Sequence, residues 1–110
     1  MVYFLNSPVL TGYGEWRFQG PLSVDEARAV LKGGFTSAIG HEETAAFLQG
    51  LLGIEISQNR IQATLTNQDA ALILWSTQRL PKNSALTTQM MAAMWDKHEL
   101  ELGLLTPLTR

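Results

Sequence analysis

Residues 2 to 6 read Val-Tyr-Phe-Leu-Asn and are followed directly by Ser7-Pro8. The run is short, apolar and contains aromatic and β-branched side chains, which favours a buried strand. We expect this strand to lie centrally in a sheet. A second covered strand is predicted at 70–78, because the residues from Leu72 to Trp75 follow one another without a polar break.

Three helices are predicted between and after these strands. Ser23-Val-Asp-Glu26 is a capping box that starts the first helix, and Gly33-Gly34 ends it. The second is placed at about 42–52, with Gly53 after it and an apolar face towards the core: Phe47, Leu48, Leu51 and Leu52. The third, 87–98, has an amphipathic spacing of apolar side chains: Met90, Met91, Met94 and Trp95. That stripe is typical of a core or a subunit interface.

The remaining strands are predicted from alternation. Residues 15–18 are expected to pair with the first strand through a hairpin turn near 12–14. Residues 60–66 alternate strictly and are expected to form an antiparallel hairpin with 70–78, turning at 67–69. With a final strand at 100–105, the prediction is a single α/β domain over 1–110, a mixed sheet of about five strands flanked by helices.

Composition excludes several classes of function. The 110 residues carry 8 Lys and Arg against 10 Asp and Glu, so a net charge of -2 argues against a broad basic face for long nucleic acid. Without cysteine there is no disulfide, thiolate nucleophile or thiolate metal site, and two histidines cannot form a metal cage alone. No apolar window approaches the roughly 20 residues that span a bilayer, so no membrane partner is expected and the protein is predicted to be cytosolic.

The first candidate site is Gly40-His41, at the start of the second helix. Helix N-termini present unpaired N–H groups and a positive dipole end, and a glycine lets a phosphate approach the backbone closely. His41 can exchange a proton near neutral pH. The alternative is that His41 simply caps the helix, with Glu42 and Glu43 complementing its dipole.

The second candidate is the pair Arg60 and Arg79. The expected hairpin brings both to its far end, where two converging guanidinium groups would share an anion such as phosphate. The alternative is that each pairs with a surface carboxylate or extends into solvent.

The third candidate is Asn6-Ser7, at the end of the opening strand. Ligands of α/β folds often bind beyond strand ends, where an amide and a hydroxyl can contact a base or ribose. Strand ends also need turn residues, which explains the same pair without a ligand. His98 is interpreted as a surface residue that complements a helix dipole.

Taken in order, four short blocks resemble the viral and bacterial ring nucleases of type III anti-CRISPR systems. They are Leu-Asn-Ser-Pro near the start, Ser37-Ala-Ile-Gly-His-Glu-Glu-Thr44, Gln58-Asn-Arg-Ile61 and Gln78-Arg-Leu80. The closing Glu101-Leu-Gly-Leu-Leu105 matches too, so the resemblance runs nearly the full length.

The resemblance implies a C2 homodimer that binds cyclic tetra-adenylate and linearises it without a metal or cofactor, switching off a defence signal in the cytoplasm of the host cell. His41 matches the catalytic histidine, and would be the general acid when the ribose 2′-hydroxyl attacks phosphorus and leaves a 2′,3′-cyclic phosphate. Arg79 matches a second catalytic residue. Arg60 and Arg79 match phosphate-contacting arginines.

One position departs from the family pattern. The family has Arg-Leu-x-Glu-Gly after the second arginine, whereas this chain has Lys82 where the glutamate stands. A cation there still favours phosphate binding, but any orienting role of the carboxylate is lost. Two alternatives therefore stay open: a sponge that sequesters the ring without cleaving it, and a structural module without a nucleotide ligand.

Overall fold

The computed structural model describes residues 1–6, 14–61, 63–66, 68–77 and 86–108. In these ranges the chain forms five strands and three helices. In chain order they are β1 (Val2–Leu5), β2 (Trp16–Gln19), α1 (Val24–Leu31), β3 (Thr36–Ala38), α2 (Glu42–Leu52), β4 (Ala70–Ser76), α3 (Thr88–Asp96) and β5 (Leu100–Pro107).

The strands form one mixed sheet in the order β2-β5-β4-β1-β3. β1 runs parallel to β3 on one side and to β4 on the other, while β5 is antiparallel to both β4 and β2. The predicted α/β domain with a five-stranded mixed sheet is therefore confirmed, and so is the interior position of the opening strand.

Alternating side chains divide the core between the two faces of the sheet. On one face all three helices pack against side chains such as Phe4, Leu72 and Leu102, each fully buried. On the other face Ile73 and Leu105 pack with Leu65, which comes from the segment before β4. Of the unbroken apolar run from Leu72 to Trp75, the first three residues are buried, as the run predicts, and Trp75 is half-buried.

The helix ends follow the predicted capping chemistry. Ser23 and Glu26 form the reciprocal capping box of α1, and hydrogen bonding from Ser23, first of all from its backbone N–H, holds the pKa of the Glu26 carboxyl below its ordinary value. Gly53 ends α2 in the left-handed conformation. Thr87 caps α3, where Met91 is buried but Met90 is 46% exposed, so Met90 is not part of the core.

The predicted hairpin between the first two strands is wrong. β2 lies at the opposite edge of the sheet and pairs with β5, from Trp16 opposite Pro107 to Gln19 opposite Leu104. Both edges of β1 are already taken by β3 and β4, which leaves β2 no place beside it. Exposed Arg17 suits an edge strand better than the interior.

The predicted hairpin between 60–66 and 70–78 is also wrong. Neither Arg60 and Ile61 nor residues 63–66 are in a strand, because β4 has β1 on one edge and β5 on the other. A reversal does precede β4, closed by the hydrogen bond from the Asp69 N–H to the Thr66 carbonyl. The alternation of the segment places Leu65 inward, although residues 63–66 are not part of a strand.

Alanine at Gly50, inside α2, and alanine at Gly53, just after it, should change the free energy of unfolding in opposite directions. Gly53 has φ +67°, where alanine is strained, so Gly53→Ala should lower the free energy of unfolding by about 1 kcal/mol. Gly50 lies inside the helix with open space around its Cα, so Gly50→Ala should raise it by about 0.5–1 kcal/mol. Urea denaturation of both variants checks this; equal effects would contradict the assigned end of α2.

Acid should weaken the turn before β4. The Thr66 N–H, at 2.9 Å, and the Thr66 hydroxyl, at 3.0 Å, both donate to the Asp69 carboxylate, and the Met1 amino group lies 3.7 Å from it. These contacts hold the pKa of Asp69 below its ordinary value. The carboxylate therefore stabilises the fold above the unfolded-state pKa, and the contribution is lost as pH falls through the folded-state pKa. Asp69→Asn should flatten that part of a stability–pH curve; an unchanged slope would contradict it.

Candidate functional site

The carboxyl ends of three parallel strands meet at one end of the sheet. Leu5 lies opposite Ala38 on one side and Ile73 on the other, so β1 and β3 end together while β4 runs on to Ser76. Asn6 is the residue that follows β1, and it is half-buried there. Ligands of open α/β sheets bind outside this end of the strands.

The chain leaves β3 through Ile39-Gly40-His41 and enters α2 at once. His41 stands at the N-cap position with an extended backbone, and its imidazole is exposed and makes no capping hydrogen bond. His41 therefore occupies the capping position, as the alternative interpretation has it, but its side chain does not supply the cap. The first turn of α2 has no side-chain cap, and the imidazole is available for a ligand.

A second segment, 57–60, folds back along the outer edge of β3. The Ser37 hydroxyl, buried in the strand, donates to the Ser57 carbonyl at 2.7 Å. The Asn59 side chain donates to the Ser37 carbonyl at 2.7 Å, and its backbone N–H donates to the Ile39 carbonyl at 2.8 Å. These bonds fix the segment beside the Gly40-His41 turn.

Two side chains of this segment meet on the Gly40 carbonyl. Arg60 donates to it through Nε at 2.8 Å, and Gln58 donates through Nε2 at 3.1 Å. The stem of Arg60 lies over Gly40, with Cγ 3.7 Å from the place a Cβ would take. In the part of the chain that the structure describes, Arg60 has no ion pair, and its two terminal nitrogens have no partner. The result is an exposed, unneutralised guanidinium held one residue away from His41.

The acidic residue Glu43 lies in the first turn of α2, as expected, and also bonds to the start of α3. Its carboxylate accepts from the Thr88 hydroxyl at 2.8 Å and from the Thr88 N–H at 3.2 Å. Glu43 therefore complements the N-terminus of α3 and ties the starts of α2 and α3 together. Because the carboxylate is occupied there, it is not the counter-ion of Arg60.

The structure brings three of the predicted residues together: Gly40, His41 and Arg60. Asn6 lies at the neighbouring strand end. Ser7, Arg79 and Lys82 lie outside the described residues, so their roles stay predictions. The hairpin from which the meeting of Arg60 and Arg79 is predicted is not formed by the described residues, and the meeting itself stays a prediction. Arg60 reaches the site through the Gly40 carbonyl instead.

Sequence reasoning missed the residues that hold this arrangement. Ser37, Gln58 and Asn59 all lie in the blocks that resemble ring nucleases, but no role is predicted for any of them. The signal available was a run of four polar residues after Ile56, from Ser57 to Arg60, where apolar alternation stops.

Other features of the described residues do not offer a comparable site. An open cavity of about 460 Å³ lies at the opposite end of β1 and β3, where no charged side chain lines it. No group of three metal-ligating side chains occurs in ranges 1–6, 14–61, 63–66, 68–77 and 86–108. Among the helices described there, none has the length and apolar character needed to cross a membrane.

Comparisons with known proteins agree with this architecture. The chain is 36% identical to the uncharacterized protein YddF of Bacillus subtilis over 97% of both chains. It is 35% identical to uncharacterized protein 26 of a Sulfolobus islandicus filamentous virus, covering 80% of this chain and 78% of that one. The structure of B116 from Sulfolobus turreted icosahedral virus superposes with a TM-score of 0.73 at 20% identity, covering 96% of this chain and 97% of that one, and so shares its fold.

The family model described as STIV B116-like matches residues 2–100, from the opening strand to the start of the last one. Together with the two relatives, this match shows that the chain belongs to the STIV B116-like family.

Proposed function

We propose that this protein is a ring nuclease that binds cyclic tetra-adenylate and linearises it without a metal, and thereby suppresses type III CRISPR signalling. The observation that carries the proposal is the position of the Arg60 guanidinium, which has no ion pair among the described residues. It is fixed on the Gly40 carbonyl, beside the His41 imidazole, which makes no capping hydrogen bond at the start of α2. The identity of the proposed ligand, cyclic tetra-adenylate, comes from the resemblance of the sequence blocks to ring nucleases.

The arrangement suits a phosphodiester. The Nε of Arg60 is occupied, which orients the guanidinium and leaves its terminal N–H groups for phosphate oxygens. The α2 N-terminus adds the positive end of the helix dipole, and Gly40 presents no side chain to obstruct approach. These groups stabilise negative charge that grows on the phosphate in the transition state.

The proposed reaction needs no cofactor. The ribose 2′-hydroxyl attacks phosphorus, its proton passes to solvent, and the bond from phosphorus to the 5′-oxygen breaks. His41 gives its proton to that leaving oxygen, so the products are a 5′-hydroxyl and a 2′,3′-cyclic phosphate. The exposed imidazole at the N-cap position can reach a ligand without moving the helix.

A homodimer fits a ring of four identical nucleotides. With a twofold axis through the ring, each protomer would contribute the same site to one half of the ring. Two small domains could thus enclose one large ligand. Arg79, Lys82 and Ser7 belong to the proposed site through the resemblance, and for Arg79 and Lys82 the proposal is supported by where the described chain stops before 78–85 and resumes after it. β4 ends at Ser76 at the carboxyl end of the sheet, and Thr88 contacts Glu43 there.

Lys82 in place of the family glutamate favours one alternative, a sponge that binds the ring and does not cleave it. The two functions share Arg60 and the dimer, and differ in their use of His41.

His41→Ala should abolish cleavage of cyclic tetra-adenylate in excess EDTA, with a single-turnover rate at least about 100-fold lower, because the leaving oxygen loses its proton donor. The Kd for the ring should change little. Chromatography of products after single turnover checks this.

The matched control is the other histidine, exposed at the end of α3. His98 has φ +60°, so His98→Asn is the tolerated change there and should leave the rate intact. If His41→Ala cleaves the ring as fast as the parent chain, the proposed nuclease mechanism is overturned. A parent chain that binds the ring tightly but returns it whole is a sponge.

Arg60→Ala should raise the Kd for cyclic tetra-adenylate by about 10- to 100-fold, because a charge-assisted bond to phosphate is lost. The dependence of the Kd on salt should also become shallower. Arg28→Ala, a change at an exposed arginine of α1, is the control and should alter neither. If both variants bind the ring as the parent chain does, Arg60 does not hold the ring; if the parent chain does not bind it and Arg60→Ala changes stability alone, the third alternative, a structural module, is favoured.

A further inference from the structure

We infer that Gln58 is the residue that selects adenine at this site, by pairing with the edge of the base whose phosphate lies on Arg60. The inference rests on the proposed function, and adds a base-reading residue to it. The juxtaposition that carries it is the meeting of the Gln58 amide and the Arg60 guanidinium on one carbonyl oxygen.

The orientation of the Gln58 amide is determined by its partner. A carbonyl oxygen only accepts hydrogen bonds, so the atom 3.1 Å from the Gly40 oxygen is the donor Nε2. Oε1 therefore points away from Gly40. In the described part of the chain Oε1 has no partner, and the side chain is exposed.

The free edge of this amide matches adenine and not its 6-oxo analogues. Adenine presents an N6 donor beside an N7 acceptor, and glutamine pairs with the two through its oxygen and one N–H. Nε2 carries a second hydrogen besides the one on Gly40, so both groups are present in Gln58. Guanine and hypoxanthine present an acceptor at position 6, which would face Oε1 with no hydrogen between them.

The hydrogen bond to Gly40 also holds the Gln58 amide in place before a base binds. A free glutamine side chain loses rotamer entropy when it binds a ligand, which weakens binding. Part of that loss has already occurred here, since the bond to Gly40 restricts the side chain before a ligand arrives. Within a nucleotide the base is one ribose away from its phosphate, which agrees with neighbouring positions for the base-reading and phosphate-holding groups.

The test compares two rings that cannot be cleaved, cyclic tetra-deoxyadenylate and cyclic tetra-deoxyinosinate. Neither has a 2′-hydroxyl, so the parent chain can be used and the Kd is an equilibrium quantity. The bases differ at position 6 and at N1, and position 6 is the one that faces Gln58.

The parent chain should bind the adenine ring at least about tenfold more tightly than the hypoxanthine ring. Gln58→Ala should weaken binding of the adenine ring by about the same factor and leave the hypoxanthine ring unchanged, so the ratio falls towards one. Unchanged binding of the hypoxanthine ring also shows that the variant is folded. Arg60→Ala should weaken both rings equally and preserve the ratio.

Gln68→Ala is the matched control, an exposed glutamine in the turn before β4, at the other end of the sheet. It should bind both rings as the parent chain does. If Gln58→Ala keeps the parental ratio while the parent chain binds the adenine ring, the inference about Gln58 is overturned and the proposed function stands. If the parent chain binds neither ring nor cyclic tetra-adenylate, both fail.

Discussion

The constraint on which this structure depends is the enclosure of β1 between two parallel neighbours. Phe4 is fully buried, and Leu5 is opposite Ala38 on one side and Ile73 on the other. A shift of one residue would exchange the two faces of the strand and expose Phe4, so the register is strongly specified. The same register brings the end of β1 level with the end of β3, and thereby sets Asn6 beside the turn that starts α2.

From that end the site is assembled by hydrogen bonds to backbone carbonyls. The carbonyls of Ser37, Ile39 and Gly40 each accept from the segment that returns along β3. A buried serine hydroxyl in β3 would be costly without partners, and it has two: it donates to Ser57 and accepts from the Ile39 N–H. The positive charge is therefore located by neutral groups, which leaves its electrostatic field for a ligand.

Local signals were enough to predict most elements, and non-local competition explains the errors. The capping box at Ser23, the left-handed Gly53 and the unbroken apolar run of β4 each depend on nearby residues, and these elements are confirmed. Alternation at 60–66 reports which side chains share a face, as Leu65 shows, but it does not choose a strand partner. That choice depends on which edges other strands occupy, and β5 takes the free edge of β4.

The residues of the candidate site also divide into those that local sequence signals predict and those that depend on contacts distant in sequence. Gly40 and His41 were predictable because a helix begins there, and helix starts have a recognisable chemistry. The contact from Arg60 to Gly40 spans twenty residues and passes through an irregular segment with no periodicity. The approach of Glu43 to Thr88 spans forty-five residues and was equally out of reach.

The segment 57–60 has a further consequence, for solubility. β3 is the outermost strand on its side, and an uncovered outer strand is a template on which another chain can add and start aggregation. Here the carbonyls of Ser37 and Ile39 already accept hydrogen bonds from Asn59, so they are not open to an incoming strand. The segment that carries the residues proposed to hold a nucleotide thus also covers the edge of the sheet, so a change that loosens the segment would weaken ligand recognition and favour polymerisation together.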